Sequence, residues 1–191
     1  AAGGVGTALV QMAKRRSCTI FGTASPQKHN FLREQGVHHP IDYRSQDFEQ
    51  VISDLGYRGK IDVIFDPVGG QSVKKDRKLL SPGGRLVLYG ASSMTDAKGN
   101  PLKMLQVFFG FGIGSPIPLL QASQSVIGVN MLRIADHHPH YLKKCLDAVV
   151  DLTTKGELDP QVGGEFAADK LAEAHNFLAS RKSMGKVVVK W

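Results

Sequence analysis

Cysteine is scarce: Cys18 and Cys145 are the only two among 191 residues. Two thiols without zinc-ligand spacing exclude a disulfide framework and a cysteine-rich metal site, and they fit a reducing compartment, so a cytoplasmic protein is expected. Tryptophan occurs once and aromatic residues make up 7%. No aromatic residue interleaves with the basic run Lys74, Lys75, Arg77 and Lys78, which excludes a base-stacking nucleic-acid stripe and leaves a solvated helix face. No apolar run reaches the roughly 18–20 residues of a membrane span. The nearest, 104–120, is broken by Gln106, Gly110, Gly112, Gly114, Ser115, Pro116 and Pro118. Acidic residues are in the minority, 17 against 24 Lys and Arg, for a formal net charge of +7. That balance favours an anionic partner, and a phosphate-bearing small molecule satisfies it as well as a nucleic acid does.

What the sequence does hold is 21 glycines and a hydrophobic fraction of 42%, enough for a core with many tight turns. From Gly4, the apolar residues Val5, Ala8, Leu9, Met12 and Ala13 recur at helical spacing and end in Lys14, Arg15 and Arg16, suited to the negative end of a helix dipole. Short runs rich in Val, Ile and Phe then alternate with helical patterns: 19–22 before the helix that opens at Pro26 and stops at Gly36, 40–41 before 48–55, 61–65 before 73–80, then 85–89. Such βα alternation predicts an α/β fold with a doubly wound parallel sheet of Rossmann type, whose ligands sit beyond the carboxyl ends of the strands. A polar loop is predicted over 92–100, a strand over 125–129, an amphipathic helix over 141–153, a strand near 165–166, a helix over 169–179 and a last strand over 186–190. The expected division is a dinucleotide-binding domain over 1–155 and a C-terminal segment over 156–191.

Ala1, Gly3 and Gly6 match the dinucleotide fingerprint with Ala in the first place. The physics asks for a tight turn, a residue without a side chain where a pyrophosphate presses on the backbone, and a small residue where helix meets strand. Gly3, Gly4, Val5 and Gly6 are therefore the candidate phosphate-binding turn. Residue 1 falls directly on this turn with no strand before it, so a piece of a longer protein, lacking the first strand of the sheet, is expected. At the tip of the next strand an NAD site wants a carboxylate, but the sequence has Gly22, Thr23, Ala24 and Ser25, followed by Lys28. Hydroxyls of Thr23 and Ser25 plus a cation suit a 2′-phosphate, which favours NADP; Ser25 equally suits the cap of the helix opened by Pro26.

The motifs at 1–6, 22–25, 41–43 (Ile-Asp-Tyr), 66–70 (Asp-Pro-Val-Gly-Gly) and 185–189 (Gly-Lys-Val-Val-Val) together resemble the quinone oxidoreductase, zeta-crystallin-like branch of the zinc-independent medium-chain dehydrogenase/reductase superfamily, close to its vesicle amine transport protein group. The resemblance runs over essentially the whole chain and corresponds to the carboxyl-terminal part of a full-length member. It implies that Lys28, Tyr43 and Arg181 hold the NADP 2′-phosphate, that Gly90 passes the nicotinamide, and that Val129 and Asn130 close over that ring. It implies a quinone or α,β-unsaturated carbonyl as hydride acceptor, a homodimer paired through 125–129, no metal, and a segment 156–191 that returns to an absent GroES-like domain. A fragment of this kind is expected to bind cofactor poorly and to be inactive alone, and no catalytic residue is assigned. His137, His138 and His140 around Pro139 are the only candidate metal ligands and read better as an exposed helix start.

Two function classes remain: an NADPH-dependent oxidoreductase, and a non-catalytic NADPH-binding regulatory or membrane-associated module with 104–120 as an apolar patch. An S-adenosylmethionine methyltransferase ranks last, because the acidic ribose contact it needs at the second strand tip is absent.

Overall fold

A computed structural model describes residues 1–111 and 116–191, without the side chains of residues 95, 96 and 108. Positions 112–115, inside the apolar stretch singled out above, lie outside the described residues. The chain forms two compact units, Ala1–Phe48 with His140–Trp191, and Glu49–Pro139. They divide the chain at 48/49 and 139/140, so 156–191 falls in the same unit as the glycine turn.

In the first unit, helix α1 (Gly4–Lys14) leads to strand β1 (Phe21–Ala24), a short 3-10 turn at Pro26–Lys28, helix α2 (His29–Gln35) and strand β2 (His39–Asp42). Helix α2 stops where the sequence predicts: Gly36 takes φ 106°, a left-handed conformation that only glycine adopts without strain, and Val37 N–H bonds Leu32 O at 2.9 Å. That closure seats Leu32 and Val37 in a core with Ala2, Val10, Ile20 and Ala24. Strands β1 and β2 pair in parallel, with Thr23 opposite Ile41 and Ala24 opposite Asp42.

In the second unit, helix α3 (Phe48–Asp54) precedes β3 (Ile61–Asp66), α4 (Gln71–Leu79), β4 (Leu80–Leu88), α5 (Ser92–Asp96), α6 (Pro101–Gly110), α7 (Ile117–Ala122), β5 (Ser125–Gly128) and α8 (Met131–His137). The ladder order is β3-β4-β5, all parallel. Its core is Val73, Leu80 and Leu86, with Ile64, Leu88 and Phe111 against it. Three elements differ from expectation. β4 starts at Leu80 rather than near 85, because a break in register at Ile61/Val63 and the positive φ of Gly83 let the chain pass from helix into strand at once. A helix, α5, stands in the predicted polar loop. The third difference is α8, which the apolar pattern did not mark and which Asn130 starts by accepting from Arg133 N–H at 3.2 Å.

Beyond 139 the chain returns to the first unit as α9 (Pro139–Thr154), β6 (Val162–Ala167), α10 (Leu171–Ala179) and β7 (Lys186–Lys190). β6 and β7 pair in parallel, and a parallel bridge from Gly3 to Gly185, with Gly185 N–H on Ala2 O at 2.8 Å, ties the glycine turn to the start of β7. No helix among the described residues is long and apolar enough to cross a membrane.

The second unit buries two carboxyl groups. Asp66, at the end of β3, accepts from the N–H groups of Val68 and Gly69 and from Ser72 Oγ at 2.6 Å. Asp76 hydrogen-bonds Asp66, and burial together with that neighbouring charge pushes it up to about 8. Between pH about 4 and pH about 8 the folded state therefore holds one proton more than the unfolded chain. The resulting stability is present in full below pH about 4 and is lost as the pH rises through the folded value, with a slope of up to about 1.4 kcal/mol per pH unit. Denaturant titrations across that range are expected to show the slope in the wild type and a much flatter profile in Asp76→Asn.

Candidate cofactor-binding site

The site is assembled in the first unit by strand ends and turns. Helix α1 starts at an N-cap, Gly3, that has no side chain to satisfy the first turn, and no acidic residue lies in that turn. Its leading N–H groups and the positive end of its dipole are thus available to an anion. The glycines divide by what a side chain would meet. A Cβ on Gly6 would sit 2.2 Å from Ala1 O, and one on Gly4 3.1 Å from the Lys186 side chain, so the fold itself requires or nearly requires those two. A Cβ on Gly3 would meet nothing within 4 Å. The packing leaves Gly3 unexplained, and an open approach to bare backbone is what a pyrophosphate needs.

Facing this turn is a small open cavity lined by Ala1, Ala2, Gly3, Thr23, Ala24, Ser25, Lys28, Tyr43 and Arg181, with a volume of about 150 Å³. Full small-molecule sites span roughly 300–1,000 Å³, so this corner accounts for one part of a ligand. The predicted residues Gly3, Thr23, Ser25, Lys28, Tyr43 and Arg181 thus converge, although Lys28 and Arg181 lie far apart in the sequence. A larger cavity of about 480 Å³ lies at the opposite end of α1, between Lys14, Arg15, Glu34 and Glu157. It is crossed by the Arg15–Glu157 ion pair and brings together none of the predicted residues.

Each member is positioned by identifiable bonds. Ser25 stands at the N-cap of the Pro26 turn but makes no capping hydrogen bond, so of its two possible roles the cap is not realised. Lys28 Nζ donates to Arg181 O and to Ser183 O, both at 2.7 Å, and so straps the 181–183 segment to the end of β1. Arg181 itself sits at φ 58°, in the left-handed region. Burial lowers the Lys28 ammonium from its ordinary value, Tyr43 raises it in part, and the charge of Arg44 lowers it again. An arriving anion would relieve that strain on the cation.

Tyr43 is presented by a closed turn at the end of β2. Asp42 accepts from Arg44 N–H at 3.0 Å and from Ser45 Oγ at 2.5 Å, while its own N–H donates to Gln46 Oε1 at 3.0 Å. The Ser45 and Arg44 bonds hold its carboxyl below the usual carboxylate range. Asp42 is paired in register with Ala24 at the binding edge. Both of its oxygens are engaged in its own turn, and it is not among the residues that line the corner. Sequence reasoning missed Asp42 and Arg44; the run Asp-Tyr-Arg-Ser was the available signal, since Asp favours turns that bond the backbone two residues on.

Gly90, Val129 and Asn130 belong to the second unit and have structural accounts there. A Cβ on Gly90 would lie 2.6 Å from Pro67 O. Val129 N–H donates to Leu88 O at 2.8 Å. Asn130 caps α8 as described. Among the described residues no group of three or more His, Cys, Asp or Glu side chains is placed to hold a metal ion.

A turn of bare backbone opposite a cationic corner at parallel strand ends is the architecture of dinucleotide-binding α/β proteins. Residues 35–189 match the zinc-binding dehydrogenase family, and the chain belongs to that family, within the medium-chain dehydrogenase/reductase superfamily that its motifs resemble. It is 34% identical to the synaptic vesicle membrane protein VAT-1 homolog of Mus musculus, across 99% of this chain and 47% of that protein. It is 28% identical to the 2-haloacrylate reductase of a Burkholderia species, across 99% of this chain and 53% of that one. Among solved structures, the CurK enoyl reductase superimposes with a TM-score of 0.76 at 25% identity, over 99% of this chain and 52% of that chain. The chain spans about half the length of the curated relatives it matches.

Proposed function

We propose that this chain is the NADPH-binding portion of an oxidoreductase that delivers a hydride to a quinone or an α,β-unsaturated carbonyl. The observation that carries the reading is the corner itself: Gly3 left open beside an uncapped helix start, with Lys28, Tyr43 and Arg181 gathered at the strand tips and the nearby carboxylate of Asp42 already engaged. When bound, the reduced nicotinamide supplies the hydride. The chain's own residues supply position: α1's first N–H groups meet the pyrophosphate, and the hydroxyl and cations of the corner meet the 2′-phosphate. Two relatives support the reaction class, one named a reductase of 2-haloacrylate and the other an enoyl reductase, since both names describe reduction of activated alkenes. We further propose that 156–191 returns to a domain outside this chain, that a metal takes no part, and that two copies pair along β5, an outer strand of its ladder.

A second reading, a non-catalytic NADPH-binding module, draws on the vesicle-protein name of the 34% relative and on the exposed Leu102, Leu105 and Phe109 of α6. The reading is tested by following NADPH oxidation, by a full-length protein that contains this chain, against a panel of quinones and enones. Consumption of NADPH with at least one acceptor class is expected. A folded protein that binds NADPH and consumes none would instead support the module.

A further inference from the structure

Arg44 follows Tyr43 in the turn that Asp42 closes, and the turn bonds its backbone N–H and not its side chain. It is exposed, its guanidinium carbon lies 6.0 Å from the Tyr43 ring centroid, and it forms no ion pair among the described residues. The neighbouring acid, Asp42, holds the backbone N–H of Arg44 at 3.0 Å and fixes where the side chain departs. Tyr43 lines the phosphate corner, and the Arg44 guanidinium stands over that ring at the outer limit of cation–π distance, beside the corner and not among its lining residues. Lys28, the lysine of the corner, is already bonded to two backbone carbonyls. A dianionic phosphate entering this corner needs donors beyond Lys28, and a planar guanidinium offers two in one plane.

We infer that Arg44 is a specificity-determining residue that donates to the 2′-phosphate of the cofactor from the rim of the corner, with Tyr43 as its platform. The inference rests on the reading of this corner as an NADPH site. The shift in Lys28 agrees with it, because the charge of Arg44 is felt there.

The test measures binding of 2′,5′-ADP and of 5′-AMP, two probes that differ only in the 2′-phosphate, to wild type, Arg44→Met, Arg44→Lys and Lys28→Met by calorimetry. Arg44→Met is expected to weaken 2′,5′-ADP about tenfold, to leave 5′-AMP unchanged and to melt with the wild type. Arg44→Lys should recover part of the loss, keeping the charge but not the fork. Equal weakening of both probes would overturn the inference, since Arg44 would then serve the turn or the base. Unchanged 2′,5′-ADP binding in Arg44→Met, with a loss in Lys28→Met, would overturn Arg44's role and leave the NADPH reading standing. A wild type that binds both probes equally would overturn the NADPH reading itself.

Discussion

Lys28→Met is expected to lose most of the preference for NADPH over NADH, a drop of ten- to a hundredfold in NADPH affinity with little change for NADH. A charge-assisted hydrogen bond to phosphate contributes roughly 1.5–3 kcal/mol. Lys28 does more than contribute charge, because its ammonium also bonds Arg181 O and Ser183 O. Removing it leaves two carbonyls without their donor and releases a segment whose Arg181 backbone is held at φ 58°. Faster amide exchange over 181–185 should therefore accompany the affinity loss. Competitive titration of the two nicotinamide cofactors checks the first effect and hydrogen exchange the second. Unchanged discrimination would remove the phosphate clamp from the account.

The second large effect separates two glycines of one turn. Gly6→Ala forces a Cβ to within 2.2 Å of Ala1 O, backbone that cannot swing aside as a side chain would. Destabilisation of roughly 1–3 kcal/mol or more follows from such overpacking, and at this chain length each kcal/mol lowers the melting temperature by about 2–4 °C. Gly3→Ala places its Cβ in open space at φ −81°, a backbone any residue adopts, so the melting temperature should hold. Dinucleotide affinity should nonetheless fall by about tenfold or more, since the added methyl occupies the approach of the pyrophosphate. Melting curves with and without NADPH distinguish the two variants: the wild type and Gly6→Ala gain stability from the ligand, and Gly3→Ala gains little. A Gly3→Ala protein that binds as the wild type does would show that the open face of Gly3 is not the phosphate approach.

Local chemistry made most of the fold legible. The basic end of α1, the Gly36 stop of α2, the apolar β3 and the start of the Pro26 turn lie where residue spacing places them, because each is decided within a few residues. The boundaries that failed depend on distant partners. Leu80 joins a strand only because Ile61 lies beside it in the ladder, and α5 forms in a stretch whose polar residues carry no helical periodicity. At the candidate site the glycine turn was readable from spacing, and the missing carboxylate at the β1 tip from composition. The meeting of Lys28 with Arg181 was not, since 153 positions separate them, and the placement of Arg181 came from resemblance to the family. The two carbonyls that hold Lys28 are backbone atoms, which no side-chain pattern reveals. Conversely, Gly90, expected beside the nicotinamide, is accounted for by the close approach of Pro67, so its glycine carries less information about a ligand than the pattern suggested.

The most direct test is a crystal structure of the protein soaked with NADPH. Density is expected for the pyrophosphate against the N–H groups that follow Gly3, and for the 2′-phosphate within hydrogen-bond reach of Lys28, Tyr43 and Arg181. An empty corner, or an adenosine ribose whose hydroxyls are held by a carboxylate, would contradict the account.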